Sequence, residues 1–228
     1  MNNVVMDSIY IDRINDSKAC YFSDELEGVK SDATVDVSDI LQRAINSITE
    51  KYGYGILYVK EGEYLLSRTI YIPKAVRIIG YGKTRPKFIL KDNATDFDKP
   101  FSGDKGGYRY LFWFVGLAVT DESEVEDANP GTFYSAMSNI DLELGKGNGY
   151  AVGLRTHYAQ HSFISYMNIN VDSGMAGIYD VGNEMENISI VGGQYGIITT
   201  KCSPGWPFAM IDTYFEGQKI SAIKTHEA

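Results

Sequence analysis

The sequence predicts an all-β fold, a parallel β-helix (a solenoid) with a capping α-helix at its N-terminal end. Two sets of segments that align with one another predict the solenoid. An amphipathic stretch ahead of Gly- and Pro-broken strands predicts the cap. "MSNIDLE" (137–143), "YMNINVD" (166–172), "MENISIV" (185–191) and "MIDTYFE" (210–216) form the first set, with Asn139, Asn168, Asn187 and Asp212 in one column. "AVGLRTH" (151–157), "MAGIYDV" (175–181), "QYGIITT" (194–200) and "SAIKTHE" (221–227) form the second, aligned on Gly153, Gly177, Gly196 and Ala222. One short strand cannot bury its apolar face alone, whereas a stack of repeats of roughly 19–29 residues can.

Period two sorts the side chains. Ile140, Ile169, Ile188 and Thr213 point inward, as do Leu142, Val171, Ile190 and Phe215. Asp141, Asn170, Ser189 and Tyr214 point outward. The glycines are read as permitting the corners between faces. The Asn column is read as a stacked amide ladder at one corner.

The elements then follow in order. Residues 1–35 form an N-terminal arm. "DVSDILQRAINSITEKYG" (36–53) places Ile40, Leu41, Ala44, Ile45 and Ile48 on one helical face. Asp36 or Ser38 caps its start and Gly53 ends it. Residues 55–92 hold the first coils, "GILYV", "GEYLL", "TIYIP" and "VRIIGYG". Residues 93–131 break the pattern and read as an insertion carrying one apolar strand or helix, "YLFWFVGLAV" (110–119). Regular coils fill 132–228, so 1–228 reads as a single domain. The last coil has no helix, proline or charged edge to blunt it. A bare edge invites pairing, so a second β-helix, a partner chain or a homo-oligomer is expected to cover it.

Composition bounds the partners. The formal charge is −9, which argues against nucleic acid. No apolar run is long enough to span a membrane. "MNNVVMDSIYIDR" lacks the basic and apolar regions of a signal peptide, which reads as cytoplasmic for the chain as it stands. Cys20 and Cys202 share no metal-site spacing, and no metal or cofactor motif is found. "GYGKT" (80–84) is no phosphate loop, because Arg77 stands where that motif needs glycine.

"GVKSDATVDVSDILQRAI" (28–45) followed by "GILYVKEGEYLLSRTIYIPKAVRIIGYG" (55–82) resembles the opening of the pectate-lyase-like β-helix superfamily. "AVGLRTHYAQHSFISYMNINV" and "GNEMENISIVGGQYGI" resemble the first β-helix of family 55 glycoside hydrolases, the β-1,3-glucanases. The resemblance implies a right-handed winding and a polysaccharide or oligosaccharide partner. Family 55 enzymes carry two β-helices with the cleft between them, so this chain corresponds to the N-terminal one. Members are often secreted.

Glycoside hydrolysis uses two carboxyl groups, about 5 Å apart for retention and about 6.5–9.5 Å for inversion. Coils stacked about 4.8 Å apart can meet either distance. The outward column after the inner Leu142, Val171, Ile190 and Phe215 holds Glu143, Asp172, Val191 and Glu216. Asp172 and Glu216 are therefore catalytic candidates, and Glu184, in the tight "DVGNE" turn, is the third. Asp180 stacks over Thr156, Thr199 and Thr225 and reads as structural. "HYAQHS" (157–162) offers His157, Gln160 and His161 as sugar contacts, and Gln160 matches the family's "AQ" by resemblance. Gln194 and the loop aromatic Trp206 are further candidates. Arg155 and Lys224 share an outward column without a nearby carboxylate set, which ranks a lyase low. The expectation is a polysaccharide hydrolase of β-1,3-glucanase type. Its rivals are a non-catalytic, tailspike-like binding module and a polysaccharide lyase.

Overall fold

The computed structural model describes residues 7–103, 106–121, 124–199 and 208–225. A short opening coil holds β1 (Cys20–Phe22) and β2 (Asp32–Asp36), followed by α1 (Ser38–Tyr52). The next coils each carry separate strands on each side. They are β3 (Gly55–Lys60), β4 (Glu63–Leu66) and β5 (Ile70–Pro73), then β6 (Val76–Tyr81), β7 (Lys87–Leu90) and β8 (Arg109–Val115), then β9 (Ala136–Ser138), β10 (Asp141–Glu143) and β11 (Ala151–Arg155). Above them the first two strands of each coil fuse into one bent strand. These coils pair β12 (Phe163–Asp172) with β13 (Ala176–Tyr179), β14 (Glu184–Gly192) with β15 (Tyr195–Thr199), and β16 (Ala209–Glu216) with β17 (Ser221–Thr225). All the strand ladders are parallel. The molecule is a parallel β-helix, with one α-helix among the described residues.

Its cross-section has three faces. The first stacks β1, β3, β6, β9 and the front halves of β12, β14 and β16; the second stacks β2, β4, β7, β10 and their back halves. The third stacks β5, β8, β11, β13, β15 and β17. The first two faces meet at a left-handed residue: Asn139, Tyr166, Asn187 and Asp212 have φ of 59°, 54°, 55° and 47°. Asn and Asp tolerate that conformation better than other non-glycine residues. Asn139 also uses its amide, donating to Gly80 O at 2.9 Å and accepting from Ile9 N at 3.0 Å, which ties the N-terminal arm to the corner.

The register corrects one expected column. Ser138 pairs with Ser165, and Ser165 with Glu186. Tyr166 therefore stands in the corner column where Asn168 was expected, and the amide ladder is interrupted. The shift is two residues, and an even shift keeps every side chain on its face. Ile140, Leu142, Ile169, Val171, Ile188 and Ile190 accordingly lie in the core, while Asn170 is exposed.

The aligned glycines are not corners either. Gly153, Gly177 and Gly196 pair mid-strand on the third face. A Cβ on Gly177 would lie 2.6 Å from Ile190 Cγ2, and one on Gly196 would lie 2.5 Å from Phe215 Cδ1. The column is glycine because inward side chains of the second face fill that space.

Helix α1 buries Leu41, Ile45 and Ile48 and ends at Gly53, whose φ is 72°. Val37 is its N-cap residue, and Asp36 accepts from Ser38 N at 2.9 Å instead of capping the helix directly. The helix stands where the first coil would have a third-face strand. Gln42 completes the substitution: its amide donates to Tyr71 O at 3.0 Å and accepts from Tyr71 N at 2.8 Å, pairing the open edge of β5 as a strand would. Residues 93–131 are only partly additional. Their apolar segment contains β8, a regular third-face strand between β5 and β11. Long turns on either side of it had hidden its place in the repeat.

The close approach at Gly177 yields a direct test. Gly177→Val is expected to destabilise the chain by about 1–3 kcal/mol through overpacking. Gly149→Ala, where an added Cβ meets nothing within 4 Å, is expected to be near neutral. Urea unfolding midpoints measure both, and an unchanged midpoint for Gly177→Val would sink the packing account.

Candidate functional site

Stacked coils stack their turns. One stack runs between the third and first faces and holds residues 116–121 with 124–135, 156–162 and 180–183 on successive coils. It brings together groups distant in sequence. Arg155, at the end of β11, lies in an outward column with Tyr71, Trp113 and Tyr179. Its guanidinium lies 5.1 Å from the Tyr110 ring centroid, 5.3 Å from Trp113 and 4.9 Å from Tyr179. Asp127 reaches it from the long turn after β8. Arg155 Nε donates to Asp127 Oδ1 at 2.9 Å and Nη2 donates to Oδ2 at 2.7 Å. Trp113 Nε1 donates to Asp127 Oδ1 at 2.7 Å, and Asp180 Oδ2 lies 3.7 Å from Arg155 Nη2. The turn is anchored at this point by an antiparallel bridge between Val115 and Asp127.

His157 completes the cluster, with Nδ1 3.3 Å from Asp127 Oδ2. Burial alone would raise the Asp127 pKa, but hydrogen bonds from His157, Arg155 and Trp113 outweigh it and hold the carboxyl at about 2. The hydrogen bond to Asp127 raises the His157 pKa above its ordinary value against the opposing effect of burial. His157 Nε2 is buried and has no hydrogen-bond partner among the described residues, and the same holds for Tyr158 OH and Gln160 Oε1. A carboxylate on one imidazole nitrogen fixes the tautomer and leaves the other nitrogen to carry a proton to or from a bound molecule.

The family described as rhamnogalacturonase A/epimerase, pectate lyase-like, matches residues 25–227. The chain belongs to this family. No curated protein matches it. Among solved structures, this pectate-lyase-like chain is similar to a 1,3-α-1,4-β-D-galactose-4-sulfate-3,6-anhydro-D-galactose-2-sulfate 4 galactohydrolase (17% identity, 86% of this chain, 45% of that one, TM-score 0.45). It is similar to ORF18 of Geobacillus virus E2 (15% identity, 92% and 40% coverage, TM-score 0.44). It is also similar to the family GH82 iota-carrageenase of A. fortis (16% identity, 82% and 45% coverage, TM-score 0.43). The chain spans under half the length of each. The superfamily resemblance of the sequence is thus met, and the finer likeness to family 55 forms no part of the match.

The residues singled out in the sequence separate into two groups. His157, Gln160 and His161 share the turn stack of Asp127, and Glu184 opens the next coil beside it. Glu184 is exposed and lines a cavity of about 450 Å³ with His161, Phe163 and Asn183. Glu186 lies two residues on, so both carboxylates leave the same face of β14. Asp172, Gln194 and Glu216 lie on the opposite turn stack, across a third face about 13 Å wide at β13. The expected carboxylate column is also displaced. Glu143 pairs with Asn170, Asn170 with Val191 and Val191 with Glu216, which leaves Asp172 outside it at a left-handed residue of φ 49°. Asp172 and Glu216 are therefore not brought to Glu184. Trp206 lies outside the described residues.

Asp127, Tyr110 and Trp113 were missed in the sequence. Arg155 was seen in its outward column but without its carboxylates. No spacing rule links Asp127 to Arg155, since a long turn of irregular length carries it back to the face. The usable signal was Trp113, which period two places outward beside Arg155. Among the described residues no cluster of His, Cys, Asp and Glu forms a metal site, and no helix is long and apolar enough to cross a membrane.

The paired shifts predict a pH dependence. The raised His157 pKa contributes stability that is fully present below the ordinary value of 6.5 and is lost as pH rises through the folded-state value. The depressed Asp127 contributes stability present above 3.8 and lost as pH falls toward about 2. The melting temperature of the wild type should exceed that of His157→Asn most at pH 5–6, with the gap narrowing as pH rises. A gap independent of pH from 5 to 9 would refute the contact.

Proposed function

We propose that this chain hydrolyses a polysaccharide at the turn stack that carries Asp127, His157 and Glu184. The observation that carries the reading is the Asp127–His157 dyad, with Nε2 buried and unpartnered among the described residues. His157, whose protonated form Asp127 favours, donates a proton to the glycosidic oxygen as the bond breaks. Glu184, exposed on the next coil, activates the attacking water. Arg155 holds Asp127 in place and offers no free base, which disfavours a lyase. Gln160 and His161 contact sugar hydroxyls. Family membership supports a carbohydrate-polymer substrate: the family's description names a rhamnogalacturonase, and the family 55 resemblance favours β-1,3-glucan.

The test is reducing-end release from β-1,3-glucan and from rhamnogalacturonan, with unsaturated-sugar absorbance followed in parallel. Release without that absorbance is expected. His157→Asn and Glu184→Gln should each lower the rate by about 100-fold or more with unchanged circular dichroism. Binding without release from either polymer would establish the non-catalytic module instead. Growth of the absorbance would establish the lyase.

A further inference from the structure

The same turn stack continues toward the N-terminal end, and there it opens into a slot. Gly55 pairs with Val76, and Arg77 with Ala136. Following the register one residue back from Gly55 puts Tyr54, Ala75 and Tyr134 on successive coils, and Ala75 N donates to Phe133 O at 3.0 Å. Tyr54 and Tyr134 are therefore two rungs apart, about 9.6 Å. The middle rung carries only a methyl group. Tyr54 is 59% exposed and Tyr134 50%. One face of Tyr134 is already covered by His161, with centroids 5.1 Å apart and planes at 11°. On the side away from His161, Tyr134 lines one cavity with Ala75 and Tyr54. The resulting cavity, about 340 Å³, also has Arg77 and Lys18 on its wall. Arg77 Nε donates to Tyr134 O at 3.2 Å, which holds the guanidinium beside that tyrosine on the cavity wall. Asp16 is the one carboxylate on the wall, and its Oδ1 accepts from Lys18 N at 2.9 Å.

The geometry points to a sugar-binding subsite: a slot that takes one pyranose ring between Tyr54 and Tyr134, with ring oxygens or an acid group met by Arg77 and Lys18. A gap of two rungs suits a single flat ring stacked on both sides. The apolar C–H faces of a pyranose pack on aromatic rings, while its edge presents acceptors. The cations outnumber the carboxylate in a chain of net charge −9, so the slot is locally complementary to oxygen-rich, electron-rich ligands. Its position fixes the direction of the polymer. Tyr134 leads through the stacked His161 to Glu184, so a bound chain would run parallel to the solenoid axis from the slot to the proposed reaction site. The inference rests on the polysaccharide reading but concerns binding at a separate place.

The test is calorimetric binding of a β-1,3-glucan hexasaccharide and an oligogalacturonate to the full chain carrying His157→Asn, so that turnover does not enter the measurement. Tyr134→Ala is expected to weaken binding about three- to tenfold. Ala75→Trp, which fills the slot and keeps both tyrosines, should weaken it at least as much. Tighter binding of the galacturonate that weakens with salt identifies an acid group on Arg77 and Lys18. Preference for the glucan identifies a neutral ring. Either outcome supports the slot. Binding of neither sugar, or equal binding by the parent and both variants, overturns it. Failure of the hydrolytic reading alone would appear as no sugar release by the wild type and leave these affinities unchanged.

Discussion

Each coil of this molecule must return one rung higher with its hydrogen-bonding groups in parallel register with the coil below. Everything else follows from that constraint. An unpaired backbone group inside the solenoid would cost as much as a lost hydrogen bond, so the ladder fixes where each strand residue sits. The turns carry no such restriction and take up the differences in length. Ser138, Ser165, Glu186 and Ile211 are successive partners although they are 27, 21 and 25 residues apart (165 − 138, 186 − 165, 211 − 186). Length variation is thereby pushed to the corners. Residues from distant turns then meet along a line parallel to the axis. Asp127, His157 and Asp180 come from three different turns and surround one arginine.

This division explains what was legible in the sequence. Inward and outward positions follow from period two, and they survived a two-residue error in aligning Tyr166 with its column. The helix over 36–53 was legible because its apolar face repeats at helical spacing and Gly53 stops it. The corner register was not, because the ladder determines it and Asn168 imitates an asparagine column it does not join. The role of Gln42 was not legible either. An amide that completes a strand edge leaves no pattern along the chain. At the candidate site, "HYAQHS" and "DVGNE" stood out because short turns keep their residues near the face. Asp127 did not, because it arrives on a long turn from 28 residues away.

The cluster around Arg155 also shows how a buried charge is tolerated outside the apolar interior. A guanidinium removed from water is costly unless its donors are satisfied and its charge is balanced. Here Asp127 takes two of its N–H groups and Tyr110 OH takes a third, while aromatic rings enclose it. The arrangement binds the long turn to the third face, a structural task. It also holds Asp127 ionised and so stabilises the proton on His157. The hydrogen bond to Asp127 raises the His157 pKa above its ordinary value, so the imidazolium form is favoured by this carboxylate. Structure and chemistry are carried by the same carboxylate: a change at Asp127 would loosen the turn and alter the proton of His157 together.

The turn stack also carries a sign of what the fold did not demand. Ala75, Tyr134 and His161 occupy equivalent turn positions, with φ of 61°, 61° and 59°. The backbone takes this left-handed shape on these three coils with three different side chains. Glycine would adopt it at least cost, and bulky residues there are uncommon. An exposed tyrosine and an exposed histidine bear a penalty of order 1 kcal/mol each that the ladder does not repay. Their rings stack on one another in solvent, where they add little to the core. Packing thus accounts for the shape of the turn but not for the rings placed on it, nor for the methyl group that leaves a gap below them. Side chains chosen against local preference, on the edge that also carries His157 and Glu184, fit a surface selected for what it holds.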